Sequence, residues 1–112
     1  MRNLTWSSTE KKIARAAFDA ALERERATVR REIEAILARS PDSAEIWKVR
    51  DHLNEKAREI DRKCDYRYSV LIQVFARLIG ERSLRLAELS RLAPEKLELI
   101  EQQSVYWEKR DA

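Results

Sequence analysis

One stripe recurs along the middle of the chain: Ile46, Arg50, Leu53, Ala57, Ile60, Cys64, Arg67, Leu71, Val74 and Leu78. Its steps alternate four and three residues. Such a 3.5-residue repeat predicts a long helix with a seam against a partner helix. At ~1.5 Å per residue that helix is roughly 50 Å long. It is expected over about 42–80, with a kink near Asp61 to Asp65, where polar and small residues weaken the apolar face. Before it, Ser7-Ser-Thr-Glu10 reads as a capping box that opens a first helix, over about 7–38. The apolar positions of that helix are Ile13, Ala17, Phe18, Ala21, Leu22, Val29, Ile33, Ile36 and Leu37. Glu25 and Arg26 interrupt them, so that section is expected to be wetter.

Between the two helices, Ser40-Pro-Asp-Ser43 is a turn, with Ser40 as cap and Pro41 at the first helical position. So short a loop makes the helices antiparallel neighbours. Gly80, the only glycine, marks the end of the second helix. Ser83 to Leu92 reads as a short amphipathic helix. Ala93-Pro94-Glu95 starts another, carrying Leu97, Ile100, Val105 and Trp107. The predicted fold is all-α: a helical hairpin stem over 1–82 and a small helical head over 83–112.

Composition sharpens this picture. The 112 residues are 44% hydrophobic and 38% charged, with one Gly and two Pro, too few turn residues for a sheet. A globule of this length has a radius of gyration near ~13 Å and cannot contain a 50 Å helix. The fold is therefore elongated, and its seam needs cover. A second copy is the economical cover, giving a four-helix bundle with Ile46, Trp47, Leu53, Ala57 and Ile60 at the dimer interface.

The net charge of +3 comes from alternating signs, as in Glu23-Arg-Glu-Arg26, and not from a basic patch. That pattern suits a solvated helix face better than a nucleic-acid surface. A lone Cys64 suits a reducing compartment. The first residues lack an apolar run of signal-peptide length, and no stretch approaches the ~20 apolar residues of a membrane helix. A cytoplasmic protein is expected.

Candidate chemistry is sparse. His52 is the only histidine, and the residue three before it is Val49, so the Glu-x-x-His spacing of a carboxylate-bridged metal site is missing. A surface histidine is the plainer reading. Cys64 reads as a small apolar seam residue. No phosphate loop, nucleophile–base pair or zinc spacing is present. The chain is expected to be no enzyme and to carry no cofactor or metal; a binding module remains. Trp47 is either a packing residue or an anchor for a partner. Arg50 and Arg67 lie on an apolar stripe, so either the seam is wet there or each pairs with an acid across it, with Asp51 and Asp61 or Asp65 as candidates. Tyr66 and Tyr68 point around the helix and could tie stem to head.

Trp47-Lys-Val-Arg-Asp-His-Leu53, Glu59-Ile-Asp61, Lys63, Asp65-Tyr-Arg-Tyr-Ser-Val-Leu-Ile72 and Val74-Phe-Ala76 together resemble the fluorescence recovery protein family of cyanobacteria. Trp6-Ser7, Ala17-Phe18 and Glu23-Arg-Glu25 resemble the start of that family's first helix, and Leu86-Ala-Glu-Leu89 and Lys96-Leu97 its end. The resemblance implies an all-helical dimer with a hairpin stem and a small head. It also implies a protein partner, the C-terminal domain of the photoactivated orange carotenoid protein, whose return to the dark form the family speeds.

By the same resemblance, Trp47 and Asp51 match positions tied to the dimer interface and partner surface. Other positions depart from the family. Arg50 stands where it usually has His, Ala57 where it usually has Arg, Gln73 where it usually has Phe, and Leu99 where it can have Lys. Arg62, Cys64 and Ser83 replace a usual Gly, Tyr and Trp. The expected partner-binding residues are Trp47, Arg50, Asp51 and Gln73. The departures imply a divergent relative that acts on another protein client. Two other readings stay open: a helical nucleic-acid binder using Leu84 to Ile100, and a purely structural dimer.

Overall fold

A computed structural model describes residues 4–39 and 43–111. The expected Ser40 cap and Pro41 helix start lie outside the described residues. Four α-helices follow in order: α1 (Ser8–Arg39), α2 (Glu45–Lys63), α3 (Leu71–Gly80) and α4 (Pro94–Asp111). A single 3₁₀ turn, Leu86–Leu89, stands between the last two, where the sequence suggested an α-helix. The predicted all-α class holds, with no strand among the described residues.

The capping box forms as expected. Ser7 N–H donates to Glu10 Oε1 at 3.1 Å, and Glu10 N–H donates to Ser7 Oγ at 3.1 Å. From there α1 runs 32 residues, ~48 Å of helix. The molecule measures 53 × 29 × 24 Å with a radius of gyration of 16.6 Å, so the predicted elongation is real.

The expected continuous helix over 42–80 is not formed, and α1 is the long rod instead. α2 ends at Lys63, and residues 64–70 form a turn before α3 begins. The kink expected near Asp61 to Asp65 is a full break. The reason lies in α3, which is apolar around most of its circumference. Leu71, Ile72, Val74, Phe75, Ala76, Leu78 and Gly80 are all buried. A straight continuation of α2 would bury only one stripe of these. The break lets α3 pack against α4 and the first half of α1.

One core results. Ala14, Ala17, Phe18 and Ala21 of α1 meet Leu71, Phe75 and Leu78 of α3, Leu84, Leu89 and Leu92 of the connection, and Ile100 of α4. The small residues of α1 allow the close approach. Gly80 ends α3, but it is not the left-handed residue. That conformation belongs to Arg82, with φ 69°, and Ser83 N–H closes the motif on Leu78 O at 2.8 Å. Gly80 is needed for space: a Cβ there would lie 2.8 Å from Ser104 O and 3.1 Å from Glu108 N, and closer still to Trp107 Cβ.

Polar ties fasten α3, the connection and α4, together the head, to α1. Glu10 accepts from Ala93 N–H at 2.9 Å and from the buried Lys96 ammonium at 3.0 and 3.1 Å. Arg24 grips Glu88 with two bonds of 2.8 and 2.7 Å and donates to Ser83 O at 3.1 Å. Lys63 pairs with Glu25 and, at 2.7 Å, with Glu81. Ser83 Oγ also bonds Glu25. The residue that interrupts the apolar stripe of α1 is thus engaged, not simply wet.

Candidate functional site: the exposed face of α2

α2 lies antiparallel to the far half of α1. His52 Nε2 is 2.9 Å from Glu32 Oε1, and Lys63 meets Glu25. His52 is half-buried as a clasp across the hairpin, and not the plain surface histidine expected. Among the described residues no His, Cys, Asp and Glu group is arranged to hold a metal ion.

Of all α2, only Lys63 is buried. The seam positions face outward in the single chain. Ile46 is 53% exposed and Leu53 45% exposed, Ala57 is exposed and Ile60 half-buried. Beside them a groove of about 450 Å³ runs between α1 and α2. Its walls include Phe18, Leu22, Val29, Leu53, Ala57 and Ile60. The exposed Ile46, Leu53 and Ala57 and the half-buried Ile60 are thus grouped along one face of α2 and not scattered singly.

At the far end of α2, Trp47 is 62% exposed. The Arg50 guanidinium lies 5.1 Å from its ring centroid, and Arg50 Nε and Nη2 donate to Asp51 Oδ1 at 3.0 and 2.9 Å. Trp47, Arg50 and Asp51 thus form one pre-set surface cluster. Exposed pairs of this kind add little stability; their effect is to fix the presentation of the tryptophan and the carboxylate. Arg50 does pair with Asp51, but within one helix and not across a seam. Arg67 likewise pairs locally, with Asp65 at 3.0 and 2.9 Å.

Gln73 is exposed on α3, in the head. From Trp47 to Lys63 alone the helix rises ~24 Å, and α3 packs at the opposite end of α1. Three of the four expected partner residues therefore cluster, and the fourth stands apart.

Tyr66 and Tyr68, expected to tie stem to head, stack instead on α1 and the segment before it. Trp6, Tyr68, Tyr66 and Phe18 stack in series, with centroid separations of 5.7, 5.6 and 4.8 Å. Burial, with Tyr68 beside it, pushes the Tyr66 phenol up to about 12. Cys64 is half-buried, and burial together with Glu25 pushes its thiol up, the opposite of an activated nucleophile. At Lys63 burial opposes the charge, but Glu25 and Glu81 outweigh it and raise the pKa.

The profile of one protein family, described as photoprotection regulator fluorescence recovery protein, matches residues 6–104. The chain belongs to the fluorescence recovery protein family. A family member from Synechocystis sp. PCC 6803 is 37% identical over 91 residues, which is 81% of this chain and 84% of that protein. The solved structure of the Fremyella diplosiphon fluorescence recovery protein superposes with a TM-score of 0.80 at 39% identity, covering 89% of this chain and 98% of that one. The Synechocystis fluorescence recovery protein structure gives 0.81 at 35% identity, with the same coverage. The family's role is that of a photoprotection regulator. Among the described residues no helix is long and apolar enough to cross a membrane.

The residues that sequence reasoning missed are the buried cations. Lys96 and Lys63 have side chains only 6% exposed. Lys96 lies one turn from the buried Leu92 and Ile100, which was the available signal, whereas Lys63 shares its face with Lys56 and Glu59. The acid partners of both are far off in sequence, which hid the pairing.

Proposed function

We propose that the chain is a non-enzymatic, dimeric regulator that works by binding a protein client. The observation that carries the reading is the exposed Trp47–Arg50–Asp51 cluster beside an uncovered apolar strip on α2. Exposed tryptophan and arginine are the residue types that dominate interface energies. A second copy covering Ile46, Leu53, Ala57 and Ile60 completes a four-helix bundle, and Trp47 stands at its edge. By family membership the client is the orange carotenoid protein, and a cytoplasmic location follows from that partner. Gln73 adds a second contact point in the head.

Adding the protein to photoactivated orange carotenoid protein and timing recovery of the orange form tests this. A faster return that Trp47→Ala abolishes without changing the helical content is expected. An unchanged rate with the wild-type chain would remove this client.

A second reading is a diverged regulator of another client. Arg50 favours it, because its guanidinium neutralises the Asp51 carboxylate at 2.9 and 3.0 Å. Arg50→His, the usual family residue, is then expected to raise activity on the carotenoid protein. No gain from that substitution would count against divergence at this position.

A further inference from the structure

The groove between α1 and α2 is sorted by charge as well as by polarity. Phe18, Leu22 and Val29 of α1 stand over Leu53, Ala57 and Ile60 of α2, and Tyr66 lines the end nearest the head. Three cations, Arg15, Arg26 and Lys56, share the walls with one acid, Asp61. The helices run antiparallel, so Arg15 and Asp61 belong to the Tyr66 end and Arg26 and Lys56 to the other. Arg15 is matched by Asp19 at 3.3 Å. Lys56 reaches Glu59 only at 3.5 Å, and Arg26 has no hydrogen bond or ion pair among the described residues. On the opposite side of the hairpin the balance is reversed, with Glu25, Glu32, Glu59 and Glu81 against Lys56 and Lys63.

The shape narrows the choice of occupant. From Arg15 to Val29, α1 rises ~21 Å. Spread over that length, about 450 Å³ leaves a mean section of roughly 20 Å². An α-helix with its side chains is ~10–12 Å across and cannot enter. One extended alkyl chain can, and the volume lies within the roughly 300–1,000 Å³ of small-molecule sites. The apolar walls favour burial of each methylene. The uncommitted cations at one end call for an anion there, and a guanidinium matches a carboxylate in a two-bond fork. Asp61, at the Tyr66 end, repels the same anion, which fixes the direction of the chain.

We propose that this groove binds a long-chain carboxylate, with its alkyl chain along Leu22 and Ile60 and its carboxylate between Arg26 and Lys56. Leu53, Ala57 and Ile60, which wall the groove, are also the residues that the proposed second copy covers. Resting on that reading, the carboxylate and the second copy exclude one another. Binding to the single chain then lowers the dimer population by mass action. The level of the carboxylate thereby sets the balance of single and paired chains that present Trp47 to a client.

The test is titration with decanoate and, as the uncharged control of equal chain length, decanol. Binding is read from the methyl resonances of Leu53, Ala57 and Ile60, and mass from light scattering. Saturable decanoate binding, about tenfold tighter than that of decanol, is expected, with the mass falling toward one chain. Arg26→Gln is expected to weaken decanoate about tenfold and to leave decanol unchanged. Ile46→Glu, at an exposed position outside the groove, is expected to give single chains that bind decanoate more tightly than wild type. That variant keeps the test decisive where the wild-type pair is too firm to open. No saturable binding by either protein, or decanol bound as tightly as decanoate, would overturn the site. Decanoate binding that Arg26→Gln does not weaken would overturn the placing of the carboxylate. Binding that leaves a wild-type dimer intact would support the site and overturn the competition, putting the second copy on another face. A wild-type chain that is single without decanoate, yet binds it, would overturn the dimer and not the site.

Discussion

Gly80→Ala is expected to destabilise the protein, although alanine is the better helix former. Gly80 is the last residue of α3, and α4 crosses directly over it. A Cβ built there lies 2.8 Å from Ser104 O and 3.1 Å from Glu108 N, both backbone atoms of α4, and nearer still to Trp107 Cβ. Ordinary carbon contacts sit at about 3.5–4.0 Å, so the helices must part by about an ångström. None of the three neighbours is the free end of a flexible chain. α4 is also pinned at its other end by Ile100 in the core and Lys96 on Glu10. Overpacking of this kind costs about 1–3 kcal/mol, while Ala in place of Gly in a helix returns about 1 kcal/mol. Two of the contacts are with backbone and the third with a Cβ, which places the cost in the upper part of that range, so the net loss is ~1–2 kcal/mol. For a domain of this size that lowers Tm by roughly 5–15 °C. Thermal unfolding followed by helical circular dichroism measures it, at one fixed chain concentration because association shifts Tm. The steric reasoning makes a further demand. Trp107→Ala keeps the Cβ, so it should not rescue Gly80→Ala. A Gly80→Ala protein as stable as wild type, or rescue by Trp107→Ala, would refute the close backbone approach.

Arg82→Gly should raise stability by about 1 kcal/mol, since a non-glycine residue at φ 69° is relieved; an unmoved denaturation midpoint would mean that the Arg82 side chain compensates. At Glu10 burial works to raise the carboxyl, but bonds from Ala93 N–H, Ser7 N–H and Lys96 outweigh it and hold it at about 2, below the ordinary 4.5. Because folding lowers this pKa, its stabilisation is whole above pH 4.5 and is lost as pH falls toward 2. Glu10→Gln should therefore be less stable at neutral pH and show a shallower acid limb, and an acid profile identical to wild type would exclude Glu10 as a titrating group. Leu53→Glu or Ile60→Glu should yield monomers or unfolded chain by placing a charge in the proposed seam. A folded dimer by light scattering for both would put the dimer interface on another face.

The local grammar of this chain was legible. The Ser7–Glu10 capping box and the Pro94 helix start occur where the residues demanded them. The all-α class and the elongation followed from the scarcity of turn residues and the length of the periodic segments. The break at 64–70 was not legible, because no residue in it carries a stop signal and the 3.5-residue stripe runs through. The burial of α3 around most of its circumference decided it, a property of the whole head. Gly80 shows the same limit: its position was read correctly as a helix end, but its cause is Trp107, 27 residues further on. At the candidate site, the stripe residues and Trp47 were legible as apolar positions on one helix. That Arg50 turns back on Asp51 and Trp47 depends on side-chain geometry that spacing alone does not fix.

The distribution of burial sets how the two ends of the molecule differ. The fully buried large side chains, Phe75, Leu71, Leu78, Leu84, Leu89 and Ile100, all lie in the head. α2 buries only Lys63. A helix of 19 residues is marginal in water on its own propensity and needs an apolar face covered by tertiary packing. In a single chain α2 has the His52–Glu32 clasp, the Lys63–Glu25 pair and one shallow contact along α1. Whatever covers Ile46, Leu53 and Ala57 therefore supplies a large share of the stability of α2. Binding on this face and ordering of the stem are then one equilibrium. A substitution such as Leu53→Glu cannot remove the contact without also loosening the helix that presents Trp47.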